Sequence, residues 1–242
     1  MTEPSAAGPV PVLAIDGPGG AGKGTVSRLV AGRLGWHLLD SGALYRLVAL
    51  DAVRRGVGLE DETNLARLAA GLDVVFEAGG AEAGAVEARI LLNGANVSSA
   101  IRSESAGDGA SRVAALSAVR AALVQRQRDF RRPPGLVADG RDMGAVIFPD
   151  AGLKVFLTAS VEERARRRHK QLKDKGIDVS LSGLSRDMLE RDRRDSERSI
   201  APLKPSDDAR MLDTTGMEIS EVVSVVLRWA ADCSLAGRAV PK

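Results

Sequence analysis

The chain has 242 residues, enough for one large domain or two small ones. Its 44% hydrophobic and 27% charged content are those of an ordinary globular protein, which excludes a disordered or collagen-like chain. Lysine and arginine number 34 against 32 aspartates and glutamates, which argues against a general nucleic-acid coat. One cysteine and two histidines permit neither an internal disulfide nor a Cys/His zinc site.

The beginning of the chain has no features of a secretory signal. Its first twelve residues lack a basic start and a long apolar core, and no stretch approaches the ~18 apolar residues that span a membrane. We therefore predict a cytoplasmic protein with a flexible tail at residues 1–10 and a single domain over residues 11–242. Aromatic residues make up only 3% of the chain, which disfavours a stacking platform for single-stranded nucleic acid.

Short apolar strands alternate with helical patterns along most of the chain. Strands are predicted at residues 12–16, 36–40, 136–139, 153–158 and 209–213. This alternation predicts an α/β fold, an open parallel sheet of about five strands flanked by helices. Residues 72–103 break the rhythm with β-type runs at 72–76 and 88–97. Because Asn93-Gly94 is a strong hairpin signal, we predict a small antiparallel β insertion in this stretch.

A glycine-rich turn follows the first strand, and two motifs compete for it. Gly17, Gly19 and Gly22 fit the dinucleotide-binding pattern G-x-G-x-x-G, whereas Gly17 followed by Gly22-Lys23 fits a phosphate loop. Lys23 favours the phosphate loop, because a dinucleotide turn needs no ammonium group directly after its last glycine. In a phosphate loop, backbone N–H groups and the start of a helix surround a phosphate, and the lysine adds a full charge.

The phosphate loop departs from its usual pattern at one position. The residue after the lysine, often a magnesium-binding Ser or Thr, is Gly24, and Thr25 follows one place later. The sequence therefore leaves the direct magnesium ligands open. The chain also lacks the Asn-Lys-x-Asp signature with which GTPases recognise guanine, since no asparagine precedes a lysine.

Polar and charged residues follow the second and third strands of the predicted sheet. Asp139, Arg141 and Asp142 come after the strand at 136–139, at the carboxyl end where such sheets bind ligands. Asp139 can orient a magnesium-bound water, and Arg141 can fork onto a phosphate; a solvated Arg–Asp turn is the alternative. Ser41 and Tyr45 are one helical turn apart, so that both hydroxyls can face one anion, and a capped amphipathic helix is the alternative.

Two arginine clusters follow the fourth predicted strand. The first shares one helix face through i, i+3 and i+4 spacing: Arg164, Arg167 and Arg168. The second recurs at i, i+4 and i+7: Arg191, Asp195 and Arg198. Solvated, salt-bridged helices are the default interpretation, and an RNA-binding patch is another. Phosphoryl transfer offers a stronger reason, because forked cations stabilise charge spread over the moving group.

Taken together, the motifs resemble the bacterial cytidylate kinase family over residues 12 to about 230. The motifs that carry the resemblance are GPGGAGKGT, LLDSGALYR, NGANVSSAIR, SRVAALSAVRAALVQRQR, DGRDMG and ERDRRDSER. The resemblance implies a P-loop nucleoside monophosphate kinase that transfers the γ-phosphate of ATP to CMP or dCMP with Mg²⁺, in the cytoplasm and as a monomer. It also implies that residues 72–103 are an inserted nucleotide-binding module and residues 160–190 a helical lid.

The resemblance further implies a role for each motif residue. The ATP phosphates would be bound by Gly17, Pro18, Gly19, Gly20, Ala21, Gly22, Lys23, Gly24 and Thr25. CMP would be bound by Ser41, Tyr45, Arg46, Ser111, Arg120, Arg141, Asp142, Arg191, Asp195 and Arg198. The catalytic cations would be Lys23, Arg141, Arg164, Arg167 and Arg168. Asp139 would hold magnesium through water.

The implied cytosine-reading residues are chemically suited to that base. Asp142 and Ser111 can accept from the amino group of cytosine, and Arg120 can donate to its acceptors. Uracil has a carbonyl in place of the amino group, which would leave Asp142 facing an oxygen. From the residues alone, Ser111 and Arg120 belong to an ordinary amphipathic helix.

Three other functions stay open from the residues alone. They are a small-molecule kinase of the same fold with another acceptor, a nucleotide-dependent RNA-binding or switch protein, and a dinucleotide-binding oxidoreductase.

Overall fold

A computed structural model describes residues 9–77, 89–174 and 176–235. The first eight residues of the predicted tail lie outside this part, as do residues 78–88 of the predicted β insertion and residue 175 of the predicted lid. The chain divides into two compact units, one formed by residues up to Asp40 together with those from Gln127 onward, the other by Ser41–Arg126.

Eight strands and eight α-helices follow one another in the described residues. The chain begins with β1 (Val12–Asp16), α1 (Lys23–Leu34), β2 (His37–Asp40), α2 (Ser41–Arg54) and α3 (Glu62–Ala70). The middle contains β3 (Val74–Glu77), β4 (Arg89–Leu92), β5 (Ala95–Asn96), α4 (Glu104–Val113) and α5 (Ser117–Arg128). The remainder contains β6 (Leu136–Gly140), β7 (Leu153–Thr158), α6 (Val161–Lys173), α7 (Leu181–Ser196), β8 (Arg210–Asp213) and α8 (Ile219–Asp232).

The first unit is built on a five-stranded sheet in the order β2-β6-β1-β7-β8, and every neighbouring pair is parallel. β1 lies at the centre, with Ile15 beside Asp139 of β6 and beside Val155 of β7. The central strands of a parallel sheet are buried on both faces and are therefore mostly apolar. β1 and β6 accordingly have no exposed residue.

One hydrophobic cluster of the first unit lies on one face of this sheet, between the strands and the helices α1 and α8. Alternate strand residues such as Leu13, Ile15 and Val155 pack against Val26 of α1 and Val226 of α8. The intervening residues, among them Asp16 and Lys154, therefore belong to the opposite face. The prediction of an α/β fold with a five-stranded parallel sheet flanked by helices is confirmed.

The second unit contains a small antiparallel sheet in the order β3-β4-β5. The β4–β5 hairpin turns at Asn93 and Gly94, and their φ angles of 49° and 75° are those that an Asn-Gly turn adopts. The predicted antiparallel insertion is confirmed for the described residues. In the same unit, α2 packs against α4.

One predicted helix is two helices in the structure. Ser111 belongs to α4 and Arg120 to α5, and the chain turns at residues 114–116. The prediction of a single amphipathic helix is wrong, because the N-terminus of α5 is stabilised by a side chain from a distant segment. Glu62, at the start of α3, accepts a hydrogen bond of 2.7 Å from the Ala118 N–H in the first turn of α5.

Candidate active site

The predicted phosphate loop connects β1 to α1 in the strand–loop–helix arrangement that the motif requires. A side chain at Gly17 is excluded, because its Cβ would lie 1.9 Å from the Leu157 carbonyl oxygen. Gly22 precedes α1 with φ of 90°, in the left-handed region that favours glycine. The loop is therefore held against the sheet, and the N-terminus of the twelve-residue helix α1 opens onto it.

Lys23 is buried beside the loop that it follows. Its ammonium donates to the Pro18 carbonyl oxygen at 2.8 Å, so that the loop closes on its own lysine. Burial lowers the pKa of Lys23, and the nearby Arg141 lowers it further, while Asp139 opposes them. A phosphate anion at the loop would favour the charged form of this ammonium group.

Asp139 lies at the carboxyl end of β6, next to the loop. A Cβ placed on Gly24 would lie 3.4 Å from its Oδ2 atom, and Asp40 is its register partner in β2. Burial raises the pKa of Asp139, Lys23 lowers it, and Asp40 raises it again. No group of three or more His, Cys, Asp or Glu in the described part could hold a metal ion. Magnesium bound with a nucleotide needs only one or two carboxylates, which Asp139 and Asp40 offer.

Arginine side chains from α6, from α7 and from the segment after β6 lie near the phosphate loop. A Cβ on Gly19 would lie 3.6 Å from both Arg141 Nη2 and Arg191 Nη1. A Cβ on Gly22 would lie 3.9 Å from Arg167 Nη1. Together with Lys23, these guanidinium groups give the loop a strongly positive surrounding.

A buried carboxylate orients two of the predicted CMP-binding arginines. Asp195 is 1% exposed, and its Oδ2 accepts from Arg141 Nε at 3.0 Å, while Oδ1 accepts from Arg198 Nη2. Burial alone would raise the pKa of Asp195, but Arg141 and Arg198 outweigh burial and keep the pKa below its usual value. The three side chains therefore form a buried cluster of two guanidinium groups and one carboxylate.

The helix pair α6–α7 is joined to the phosphate loop through Arg164. This side chain is 3% exposed and donates to the Gly19 carbonyl oxygen at 3.0 Å. The same guanidinium forks onto Asp192 of α7, with distances of 3.1 and 2.5 Å. Arg167 donates to Glu163, and its Nη1 and Nη2 reach Thr214 Oγ1 at 3.1 Å and Thr214 O at 2.5 Å. Arg168 donates to Gln171 within α6.

Asp142 follows β6 and directly precedes a five-residue turn of π-helix, Met143–Ile147, called here the π-turn. Its side chain is buried, at 4% exposure. The first two N–H groups of the π-turn are bound by Asp16, the last residue of β1, whose oxygens accept from Met143 N at 2.8 Å and Gly144 N at 2.9 Å. Burial raises the pKa of Asp16 from 3.8 to about 6.

The other predicted CMP-binding residues belong to the second unit. Ser41 begins α2 and is 4% exposed, and Tyr45 lies one turn further along the same helix. The Arg120 guanidinium lies over the Tyr45 ring, 5.9 Å from its centroid. Arg46 donates from Nη1 to the Ile101 carbonyl oxygen at 3.3 Å, and its buried Nε has no hydrogen-bond acceptor among the described residues. Ser111 of α4 is 2% exposed.

Sequence analysis missed three residues that hold this site together: Asp16, Asp192 and Thr214. Asp16 is an acid at the end of an otherwise apolar strand, which is a signal for a specific role. It directly precedes the glycines of the phosphate loop, and the motif drew attention to those glycines instead. Asp192 was one of the acids interleaved in the second arginine cluster and was assigned no individual role. Thr214 follows the last strand of the sheet, at the carboxyl end where ligands bind in this architecture.

Comparison with known proteins gives the family of this chain. The family model described as cytidylate kinase matches residues 13–232. The chain belongs to the cytidylate kinase family. The resemblance inferred from the motifs is thereby confirmed, and so is the prediction of a nucleoside monophosphate kinase.

Several cytidylate kinases are closely similar to this kinase over almost the whole chain. One from Pseudomonas aeruginosa (strain UCBPP-PA14) is 62% identical over 221 residues, which are 91% of this chain and 95% of the relative. Another from Stutzerimonas stutzeri (strain A1501) is 58% identical and covers 95% of this chain and 99% of its own. A third, from Methylococcus capsulatus (strain ATCC 33009 / NCIMB 11132 / Bath), is 60% identical, with 90% and 96% covered.

The described helices of this kinase include none long and apolar enough to cross a membrane.

Proposed function

We propose that this kinase transfers the γ-phosphate of ATP to CMP or dCMP and releases ADP with CDP or dCDP. The observation that carries the proposal is the convergence of Arg141, Arg191 and Arg167 on a phosphate loop that already contains Lys23. Two phosphate esters that approach each other repel, and a ring of cations offsets that repulsion. The cytidylate kinase relatives support the choice of a cytidine acceptor.

The phosphate loop is the proposed ATP-binding end of the site. Residues 17–25 offer backbone N–H groups and the N-terminus of α1 to the phosphates. Lys23 leaves Pro18 and binds the outer phosphates, where its charge is worth most in the partly dehydrated site. Arg164, Arg167 and Arg168 of α6 are the proposed lid cations on the γ-phosphate, within a lid at residues 160–190.

The acceptor has proposed ligands for its phosphate and for its ribose. Its phosphate is held by Arg141 and Arg198, which Asp195 orients, and by Ser41 and Arg46 of α2, with Tyr45 beside them. The buried Nε of Arg46, which has no acceptor among the described residues, supports a role toward an anion. Arg191 and Asp195 bind the ribose.

Cytosine is recognised by Asp142, Ser111 and Arg120 in this proposal. All three side chains are at most 5% exposed, so that an unmatched polar group of the base would be left without water. A carboxylate at Asp142 accepts from the amino group of cytosine and faces the carbonyl of uracil unfavourably. The buried environment supports discrimination between the two bases.

Magnesium enters the proposal with ATP. Asp139, beside Lys23 and Gly24, is the group that would hold it through water, with Asp40 as its register neighbour. The ion would neutralise charge on the phosphate oxygens.

The proposed reaction is an in-line displacement. A phosphate oxygen of CMP attacks the γ-phosphorus, the new O–P bond forms, and the bond from the γ-phosphorus to the β-γ bridging oxygen of ATP breaks. The attacking oxygen is already anionic, so the reaction needs no general base. Lys23, Arg141 and the α6 arginines stabilise the charge that spreads over the transferred group, while closure of the lid excludes water that would hydrolyse ATP.

We further propose that the enzyme works in the cytoplasm as a monomer without nucleic acid, as one kinase domain over residues 11–242 that includes a nucleotide-binding module at 72–103. The near balance of positive and negative residues supports the absence of a nucleic-acid partner.

A panel of acceptors tests the proposal. ADP release is measured in a coupled assay with CMP, dCMP, UMP and AMP at equal concentrations, each with ATP and Mg²⁺. We expect CMP and dCMP to give the largest kcat/KM. Equal rates with all four acceptors would contradict cytosine recognition, and turnover that appears only when RNA is added would contradict a small-molecule kinase.

A further inference from the structure

The buried carboxylate of Asp16 is not part of the site proposed above, yet it is bonded to the segment that carries Asp142. Asp16 ends β1 and is 7% exposed. One oxygen accepts from Met143 N at 2.8 Å and the other from Gly144 N at 2.9 Å. These two N–H groups begin the π-turn, where no residue of the turn itself can accept from them.

A carboxylate is the one side chain of this size that satisfies both N–H groups at once. Asparagine offers one acceptor and one donor, so that one of the two N–H groups would face an N–H₂ group instead. Burial and the neighbouring Asp142 raise the pKa of Asp16 to about 6, the two backbone hydrogen bonds oppose them, and the carboxyl is largely ionised at pH 7. The two peptide groups that follow Asp142 are thereby fixed in orientation.

The π-turn is held at two further places. At its carbonyl end, Arg128 donates from Nε to Ile147 O at 3.2 Å and from Nη2 to Val146 O at 3.4 Å. On its side, the aliphatic part of Lys154 packs so closely that a Cβ on Gly144 would lie 3.0 Å from Lys154 Cγ. Asp16 therefore sets the orientation of the N-terminal end, the end to which Asp142 is attached.

We propose that Asp16 is a positioning residue that fixes Asp142 for recognition of the acceptor base. The inference rests on the proposed role of Asp142 in reading cytosine. Asp16 acts through the peptide groups of Met143 and Gly144 and touches neither nucleotide. Its loss breaks the two hydrogen bonds to the π-turn and lets the Asp142 carboxylate move away from the amino group of cytosine, which would break the hydrogen bond between them.

A double-mutant cycle on acceptor preference tests this inference. The ratio of kcat/KM for CMP to that for UMP is measured for the wild type, Asp16→Asn, Asp142→Ala and the double variant. We expect Asp16→Asn to raise KM for CMP and to lower the ratio about tenfold, the effect of one lost hydrogen bond to a charged group. In the Asp142→Ala background the same change is expected to alter the ratio little, because the residue through which Asp16 acts is gone.

Two controls separate positioning from a general loss of structure. Asp150→Asn removes an exposed carboxylate just beyond the same π-turn, bonded to Arg131, and is expected to leave KM for CMP and the ratio unchanged. KM for ATP is expected to change less than KM for CMP in Asp16→Asn, since both hydrogen bonds of Asp16 go to the π-turn and only its charge acts on Lys23. Amide hydrogen exchange at Met143 and Gly144 is expected to be faster in this variant than in the wild type.

Each outcome of the cycle decides between the two proposals. If the wild type prefers CMP and Asp142→Ala loses that preference, while Asp16→Asn keeps both KM and ratio, the role of Asp16 is refuted and the proposed function stands. Equal losses from Asp16→Asn in both backgrounds would also refute it. A wild type without preference, or an Asp142→Ala variant that keeps it, would overturn base reading by Asp142 and this inference with it.

If Asp16 variants do not fold, the Gly144→Ala variant tests whether the π-turn sets base preference. Its methyl group would press against Lys154 and displace the same π-turn while Asp16 stays in place. A lowered CMP-to-UMP ratio is expected, and a ratio equal to that of the wild type would refute the claim that the fixed π-turn sets base preference.

Discussion

At the scale of single residues, the site is defined by where charge is buried. Lys23 and Asp139 are close neighbours. Burial lowers the pKa of Lys23 and raises the pKa of Asp139, and in each case this favours the neutral form. Asp195 differs, because two arginines keep its pKa below the usual value in spite of burial. The protein thus combines a cluster around Asp195 that stays charged with a buried lysine whose charged form a nearby anion would favour.

Replacement of Lys23 by alanine tests the phosphate loop. We expect kcat to fall about 10²–10³-fold, the usual effect of removing one group that stabilises transition-state charge. The factor is expected to be the same with CMP, dCMP and UMP, because Lys23 serves the donor and not the base. Steady-state kinetics with each acceptor measure it.

The matched control is Lys154→Met, a change at another buried lysine, which is paired with Asp208. We expect kcat of this variant to stay within a few-fold of the wild-type value, because an ion pair whose partner is largely exposed contributes little. A loss in Lys23→Ala that depends on the acceptor would assign this lysine to acceptor recognition.

At the scale of elements, sequence signals predict how segments begin and end. Serine residues accept from a first-turn N–H at the starts of α4, α6 and α7, namely Ser103, Ser160 and Ser180. Gly35 ends α1 with φ of 66°. The contact between α6 and α7 is different in kind, because Arg164 and Asp192 are 28 positions apart and nothing local indicates that they pair.

Loss of Asp192 tests how much the α6–α7 pair depends on this ion pair. Asp192→Asn leaves the Arg164 guanidinium buried with half of its partner gone, and we expect the free energy of unfolding to fall by about 2 kcal/mol or more. Urea denaturation of the nucleotide-free protein measures it.

Glu197→Gln, at the end of the same helix, removes the partner of the exposed Arg193 and is expected to cost less than about 0.5 kcal/mol. Equal effects of the two substitutions would mean that Arg164 does not need Asp192.

At the scale of the whole molecule, the free energy of unfolding depends on pH through the buried carboxyl of Asp16. Burial raises the pKa of Asp16 to about 6, so the folded protein holds a proton there that the unfolded chain releases above its ordinary pKa of 3.8. The folded form is thus favoured progressively as the pH falls from about 6 toward 4, and the contribution is absent at pH 7 and above.

Comparison with Asp16→Asn isolates this contribution. Between pH 7 and pH 4, we expect the free energy of unfolding of the wild type, relative to the variant, to increase by about 2 kcal/mol. Urea titrations at the two pH values measure the change. In Asp150→Asn the relative change is expected to be small over this range, because the Arg131 hydrogen bond lowers the pKa of Asp150 and its titration falls below 3.8. A constant difference between wild type and Asp16→Asn would contradict a raised pKa.

The local features of this protein follow from short stretches of its sequence. The glycines and Lys23 after an apolar strand specify a phosphate loop, and Asn93-Gly94 specifies a hairpin, because each depends on backbone preferences over a few residues. Those preferences, read with the other motifs, were enough to identify the family.

The tertiary structure alone decided the strand order, the break between α4 and α5, and the partners of the buried charges. Asp16 meets Met143 across 127 positions of sequence, and Glu62 meets Ala118 across 56. Hydrogen bonds of this kind depend on which segments the packed sheet and helices bring within about 3 Å of each other. No periodicity or local motif encodes that proximity, since it arises only when the apolar faces of all the elements are buried together.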